Sequence, residues 1–515
     1  MKRRNFIKQI GAISGGVVIG SYSVPCIANN CFKPTEDNFV LRRYKVLLPE
    51  AHIGNLDVDT RLMDSYGLLP ENIRNFYLTS RNWFSNKKDA NFSDHEIIDA
   101  AQKNNISLMG GPMLSKVKKD EVSLWLRPAT DKDLLIKVTD INSGKEKSYK
   151  IRKIKAGVEQ RIIINKLHPD VKYKYSIYCD KKNIAEGNFT TSPSAEEKGV
   201  YRITFGSCFH KIGLHNPNLT RQIVKRKPLA MMLLGDIATD DRENKANMLR
   251  SDYMLRDIAP SWNNLASNVP LYALWDDHDY FNDDISGIPK GFTAKDVDLI
   301  RSVWKQNWNN PENKGEGLYF STRIGPVEMI MLDTRSCRKR ERRGEYGCYL
   351  GNEQQQWLKK TLKESTAPFK IISSGTMWCD NISKGKDSWG TWDNEGREDV
   401  FNFIEKENIP GVLLISGDRH GARGFNIPRP SGYKFYEFEV AALGGVRGPE
   451  AIAKDHSNQL FGYLGIDIIA FGEFTFDTTG KEPIVTFRLI DEHGNIREEY
   501  KIPYKSLTPK VYLLK

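Results

Sequence analysis

Residues 269–279 read Val-Pro-Leu-Tyr-Ala-Leu-Trp-Asp-Asp-His-Asp. An apolar run suited to a buried strand ends in Asp276, Asp277, His278 and Asp279. Four ionisable side chains in a row at the end of such a strand repel one another unless a cation is near. The pattern recurs on both sides of this stretch. Tyr201–Phe205 runs into Gly206-Ser207-Cys208-Phe209-His210, and Leu229–Leu234 into Gly235-Asp236. Val327–Leu332 runs into Asp333-Thr334-Arg335, and Val412–Ile415 into Ser416-Gly417-Asp418-Arg419-His420. Phe369–Ile372 is a further apolar run. Between the runs, helical patterns lie near 250–267, 294–308, 352–365 and 397–408. Near-continuous apolar strands alternating with amphipathic helices predict a layered α/β architecture whose strands are buried on both faces. In such folds the carboxyl ends of the strands share one edge, and ligand sites form there.

Taken singly, each residue has a plain reading. Cys208 reads as a small buried hydrophobe, Asp236 as a turn residue or helix cap, and Arg335 as the ion-pair partner of Asp333. Core packing alone does not require Cys, Asp and His together at five strand ends. Carboxylate oxygens, imidazole nitrogens and one thiolate fit a cage for two metal ions. The carboxylates suit Ca²⁺ or Mn²⁺, and a thiolate with imidazole suits iron or zinc. His215 reads as a surface histidine, and the run Arg338-Lys339-Arg340 with Arg342-Arg343 as a solvated loop.

Composition bounds the rest. A chain of 515 residues predicts about three domains. With 39% hydrophobic and 27% charged residues it is globular, which excludes a disordered or collagen-like chain. Seven cysteines are too few for a disulfide scaffold of this length. The formal charge of +11 suits an anionic substrate, and no dense Lys/Arg stripe with interleaved aromatics points to nucleic acid. Cys337 and Cys348 flank the basic loop, either bridged or as two thiols; Cys31, Cys179 and Cys379 have no evident partners.

The chain divides into four parts. Residues 1–28 open Met-Lys-Arg-Arg-Asn-Phe-Ile-Lys, followed by a weakly apolar stretch too short for a membrane span. This resembles a twin-arginine export signal and implies the twin-arginine export machinery as a partner, with a periplasmic or cell-surface destination. Cys26 offers a lipoprotein alternative. No other segment is apolar enough to cross a membrane. Residues 29–106 form an N-terminal extension, with one helix expected near 94–104 behind a Ser93-x-x-Glu96 capping box. Residues 107–196 alternate with period two (Val122-Leu124-Leu126, Tyr173-Tyr175-Ile177), as a small β-sandwich does. Leu167-x-Pro169 before Tyr173-x-Tyr175 resembles a fibronectin-type-III-like domain. Residues 197–515 form the catalytic part, whose tail from 434 alternates again and predicts antiparallel strands completing a second sheet.

GSCFH (206–210), LGD (234–236), WDDHDYFND (275–283), LDTR (332–335), LGNEQQQWLKKTL (350–362) and SGDRH (416–420) stand in the order found in the alkaline phosphatase D (PhoD-like) family of the calcineurin-like metallophosphoesterase superfamily. The resemblance covers about residues 107–515. It implies a two-sheet metallophosphoesterase sandwich flanked by helices, with two metal ions at the strand ends. Residue by residue, it implies Cys208, Asp236, Asp277, Asp418 and His420 as metal ligands, with Asp236 between the two ions. Asn282 matches an Asn that often follows the DDH motif, and His210 stands at the spacing of an added ligand. Where many members place a Tyr against iron, this chain has Thr239.

The chemistry implied is hydrolysis of phosphate monoesters or diesters by a hydroxide between two metals. His278 would protonate the leaving oxygen, and Arg419 or Arg335 would bind a phosphate oxygen. The competing readings are a phospholipase-like diesterase and a non-catalytic binding protein that keeps the fold.

Overall fold

The computed structural model describes Glu50 and residues 54–239, 244–313 and 315–509. The predicted leader with Cys26, and Cys31, lie outside the described residues. Among the described residues, the extension, expected to hold one helix near 94–104, holds Leu56–Met63, Glu71–Asn86 and His95–Lys103. The third was expected, but Ser93 does not cap it. Asp94 stands at the cap position, and its carboxylate accepts from Asn91 N (3.2 Å) and Trp83 Nε1 (2.7 Å) instead. Phe76, Tyr77, Phe84 and Ile97 bury in one cluster with Leu249, Tyr253 and Trp262 of the part from 197 onward.

Seven strands follow: β1 Leu108–Ser115, β2 Val122–Pro128, β3 Leu134–Asp140, β4 Glu146–Ile151, β5 Gln160–Ile164, β6 Lys172–Cys179 and β7 Lys182–Thr190. They form a β-sandwich with sheet orders β1-β2-β5 and β4-β3-β6-β7. It is tied to the part from 197 onward by Tyr272 Oη, which accepts from Val117 N (2.9 Å), and by Tyr175 Oη donating to Ser267 O (3.0 Å).

The part from 197 onward contributes β8 Val200–Gly206, β9 Ala230–Leu234, β10 Leu271–Leu274, β11 Phe320–Ile324, β12 Val327–Met331, β13 Phe369–Ser373, β14 Val412–Ser416, β15 Gly421–Pro428, β16 Lys434–Ala441, β17 Gln459–Leu464, β18 Ala470–Asp477, β19 Ile484–Asp491 and β20 Ile496–Pro503. One sheet has the order β10-β9-β8-β18-β19-β20, the other β11-β12-β13-β14-β16-β15-β17. β8, β9 and β10 run parallel to one another, as do β12, β13, β14 and β16. The expected tail strands therefore form, but they divide between both sheets: β16 and β17 join the second, and β18 to β20 the first.

Burial on both faces follows from alternation. Met232 and Leu234 of β9 face the second sheet, in a core shared with Leu413, Ile415 and Phe438. Met231 and Leu233 face outward under the helices Ala246–Ile258 and Ala294–Asn307. Val412 and Leu414 of β14 lie under the helices Asn352–Glu364 and Trp389–Lys406. The result is a helix–sheet–sheet–helix layering. The predicted helix 250–267 is two, Ala246–Ile258 and Pro260–Ala266. The break falls at Ala259, because the residue before proline disfavours the helical region and Pro260 has no N–H to continue the ladder. Among the described residues no helix is long and apolar enough to cross a membrane.

The two sheets meet through stacked rings. The Phe438 and Phe487 centroids lie 3.9 Å apart at 17°. Phe438→Ala is expected to cost about 3–5 kcal/mol in urea unfolding. Leu299→Ala, on an exposed helix face, should stay within about 0.5 kcal/mol.

Candidate metal centre

Because β8, β9 and β10 are parallel, the residues that follow them emerge on one edge, and the turn after β14 meets them there. Cys208 N donates to Gly235 O (3.1 Å) and His210 N to Asp236 O (2.9 Å), so the loops after β8 and β9 are laced together. Cys208 (φ 56°), His210 (42°), Asp236 (55°), Asp418 (72°) and His420 (33°) all occupy the left-handed region. Such conformations cost of order 1–3 kcal/mol each in non-glycine residues and gather at functional sites. Gly235 makes the close approach possible: at φ 97°, a Cβ placed on it would sit 2.3 Å from Asp276 Cβ.

The expected ligands come together in overlapping groups. Cys208, His210, Asp236 and His420 each offer a donor atom within 4.8 Å of the others. Asp236, Asp277 and His278 form a second such group, and Asp276, Asp277 and Asp418 a third. Asp277 forms a further group with Asp283 and Asp284, on the more exposed side. His210 Nε2 lies 3.2 Å from His420 Nε2, and Cys208 Sγ 3.5 Å from Asp236 Oδ2. The other ring nitrogen of His420, Nδ1, lies 3.0 Å from Arg447 O, which fixes the ring's orientation. The His278 ring stands edge-on to His210 at 5.6 Å. Asn282 is half-buried, and its Oδ1 is buried without a partner.

Burial pushes the carboxyls of Asp236 and Asp418 well above the usual range, and neighbouring carboxylates add to the shift. Burial takes Asp276 up to about 7, against the opposing pull of Arg335. Asp277 is the exception: burial opposes ionisation there too, but Arg335 and His278 hold it below the ordinary value. Burial and the His210 ring press His420 down to about 3, and burial raises the Cys208 thiol. Asp236 Oδ1, Asp276 Oδ2 and Asp418 Oδ2 are buried with no hydrogen-bond partner. Buried orphan oxygens on neighbouring carboxylates, beside imidazoles and a thiol, fit metal ions as the missing partners.

Several residues sit differently from expectation. Arg335 does not pair its guanidinium with Asp333, whose carboxylate instead accepts backbone N–H groups of Leu318, Arg335 and Ser336. The fully buried guanidinium donates from Nε to Asp276 and lies 3.0 Å from Asp387. Its Nη1 and Nη2 have no hydrogen-bond partner, and Arg419 likewise keeps its Nε without one and lies 3.7 Å from Asp418. Arg338, expected on a solvated loop, is fully buried against Asp387 (2.7 Å). Thr239, in the position expected for a tyrosine, donates to Asp279 Oδ1 (3.1 Å). Asp279, unassigned at first, also accepts from Asp236 N (2.6 Å), Asp276 N (3.2 Å) and Ile237 N (3.4 Å). Its place in the Asp-Asp-His-Asp run was the only signal of that role. Cys337 and Cys348 are free thiols, as are Cys179, Cys208 and Cys379.

The fold is a two-sheet α/β layering whose strand ends gather side chains able to hold metal ions. Residues 235–458 match the family model of PhoD-like phosphatases. Alkaline phosphatase D of Bacillus subtilis (strain 168) is 27% identical over 221 residues, 37% of this chain and 36% of that protein. The match thus spans little more than a third of that relative. A solved structure of PhoD superposes with a TM-score of 0.62 at 18% identity, covering 78% of this chain and 91% of that one. The purple acid phosphatase PPD1 from yellow lupin (Lupinus luteus) seeds gives 0.59 at 15%, covering 77% and 75%. Residues 235–458 are thus similar to the PhoD-like phosphatase family.

Two predictions follow from this geometry. Added Mn²⁺ should raise the Tm of the unsubstituted protein, and Gly235→Ala, which forces the Asp236 turn off Asp276, should abolish that rise. His215, expected at the surface, is buried, and burial lowers its imidazole to about 4. The unfolded chain takes up this proton near pH 6.5 and the folded one only near pH 4, so stability present above pH 6.5 is lost as pH falls towards 4. The size is about 3 kcal/mol. In urea titrations, His215→Asn should flatten that part of the pH profile by about this amount relative to the unsubstituted protein.

Proposed function

We propose that the protein is an exported metal-dependent phosphoesterase that hydrolyses phosphate monoesters, diesters or both. The observation that carries this reading is the position of Asp236, whose carboxylate belongs to two adjacent ligand groups at once, as a residue held between two ions must. The resemblance of the leader to a twin-arginine signal supports export to the periplasm or cell surface.

The residues divide by chemistry. Cys208, His210 and His420 with Asp236 offer a thiol and imidazoles, a set suited to iron or zinc. Asp277, Asp418 and Asn282, again with Asp236, offer oxygens suited to calcium or manganese. When bound, two such ions supply the positive charge that polarises a phosphoryl group and makes water acidic enough to attack it. Around them, Arg419 directs its unpartnered guanidinium N–H at a non-bridging oxygen of the ester. His278 delivers a proton to the leaving oxygen as the P–O bond breaks. Asp279 accepts from the backbone N–H groups of Asp236 and Asp276 and so fixes the turns that carry both carboxylates.

Metal analysis, with release of nitrophenol from mono- and bis-nitrophenyl phosphate, tests the proposal. Turnover is expected with at least one of Ca²⁺, Mn²⁺, Fe or Zn, and its complete absence with all four would overturn the reading. His278→Ala should keep the fold and metal content while lowering kcat about 10²–10⁴-fold. An unchanged kcat would remove His278 from the role of proton donor.

A further inference from the structure

Behind the centre runs a chain of buried charges whose far members, Asp387 and Arg338, neither the motifs nor the mechanism above uses. Arg338 is clamped between aromatic faces, with its guanidinium 4.3 Å from the Tyr349 ring and 4.9 Å from the Trp392 ring. Its Nη1 donates to Asp387 Oδ1 at 2.7 Å. The other oxygen of Asp387 lies 3.0 Å from Arg335 Nη2. Arg335 then reaches Asp276 through Nε, and the same Nη2 stands 3.7 Å from Asp277 Oδ1. All four charged side chains from Arg338 to Asp276 are at most 1% exposed. Asp387 comes from the turn that enters the helix Trp389–Lys406, with Ser388 at the N-cap, so it belongs to a different layer from the ligands it serves.

Nη2 of Arg335 thus lies between two carboxylates, Asp387 and Asp277, and closer to the first. A guanidinium prefers to seat its fork on a carboxylate, and one seated on Asp277 would take the place of a cation. We propose that Asp387 is a positioning residue of the metal centre: it draws the guanidinium of Arg335 onto itself and Asp276, and so leaves Asp277 open to a metal ion. Arg338 is the counter-charge that lets Asp387 stay ionised in the interior without competing for Arg335. This inference rests on the phosphoesterase reading and concerns affinity for the ion on the Asp277 side. Groups that orient metal ligands from behind change metal affinity by about 10–100-fold when removed.

The test uses the full chain, stripped with chelator and titrated with Mn²⁺, followed both by calorimetry and by hydrolysis of bis-nitrophenyl phosphate. In Asp387→Asn the half-saturating Mn²⁺ concentration should rise about 10–100-fold. Excess Mn²⁺ should restore most of kcat, and KM for the ester should not move. Because one substitution leaves Arg338 unpaired, the double variant Asp387→Asn/Arg338→Leu, which removes both charges, is measured alongside and should show the same rise. An unchanged half-saturation in either folded variant, or a loss of turnover that excess Mn²⁺ does not restore, overturns the proposal. A metal-dependent unsubstituted protein with unaltered variants overturns this inference alone. An unsubstituted protein that takes up no metal overturns the phosphoesterase reading, and this inference with it.

Discussion

Five buried carboxylates, those of Asp236, Asp276, Asp277, Asp279 and Asp418, crowd one edge of the fold, and their mutual repulsion is the constraint that the surrounding structure meets. The protein compensates three of them itself. Asp279 takes three backbone N–H groups and the Thr239 hydroxyl. Asp276 takes the Nε of Arg335. Asp277 takes its charge balance from Arg335 and accepts from the backbone of His278 (3.1 Å) and Asp284 (2.7 Å). Asp236 and Asp418 receive no such set of donors, and each keeps a buried oxygen without a partner. Asp276 likewise keeps its Oδ2 without a partner, so Asp279 has the fullest set of donors within the protein, while Asp236, Asp277 and Asp418 stay available to metal ions.

The layers explain how so much charge can be placed at one edge. Parallel strands deliver their following residues to the same side, and two sheets packed face to face bring two such sets within reach of one cavity. The strain of five left-handed residues at these turns is borne by cores of stacked aromatics beneath them, with Phe438, Phe474 and Phe487 in mutual contact. Rigid strands rather than long loops therefore set the ligand positions, and a few tenths of an ångström of slack is excluded by close approaches such as that of Gly235 to Asp276.

The parts of this arrangement legible in the sequence were those with local signatures. Apolar runs ending in Asp, His or Cys marked both the strands and the edge where they stop, because burial on both faces removes polar residues from a strand until it ends. The three helices of the extension were mostly missed: their apolar positions, such as Phe76, Tyr77 and Phe84, make sense only against the helix Ala246–Ile258, which is distant in sequence. The division of the tail strands between two sheets was equally invisible, since alternation reports one buried face without saying which sheet it joins. Arg335, Arg338 and Asp387 show the limit most clearly. Arg338 stands in a basic run that reads as surface and Arg335 reads as the partner of Asp333, and only the fold reveals both buried around a carboxylate about fifty residues away.

The extension and the centre are joined by the same logic of buried charge. Lys211, directly after His210, is fully buried and lies 3.4 Å from Asp252, itself fully buried on the helix Ala246–Ile258. That helix is in turn held from its far side: Arg250 donates to Ala90 O at 3.2 Å, and Asn247 donates to Phe84 O. A buried ion pair tolerates little displacement, because separating its partners leaves two desolvated charges uncompensated. The backbone that carries His210 is therefore anchored, through Lys211 and Asp252, to a helix whose other face the extension covers. Residues 54–106 are on this argument a third wall of the catalytic part rather than an appendage to it, and the position of an imidazole in the centre depends on packing more than one hundred residues earlier in the chain.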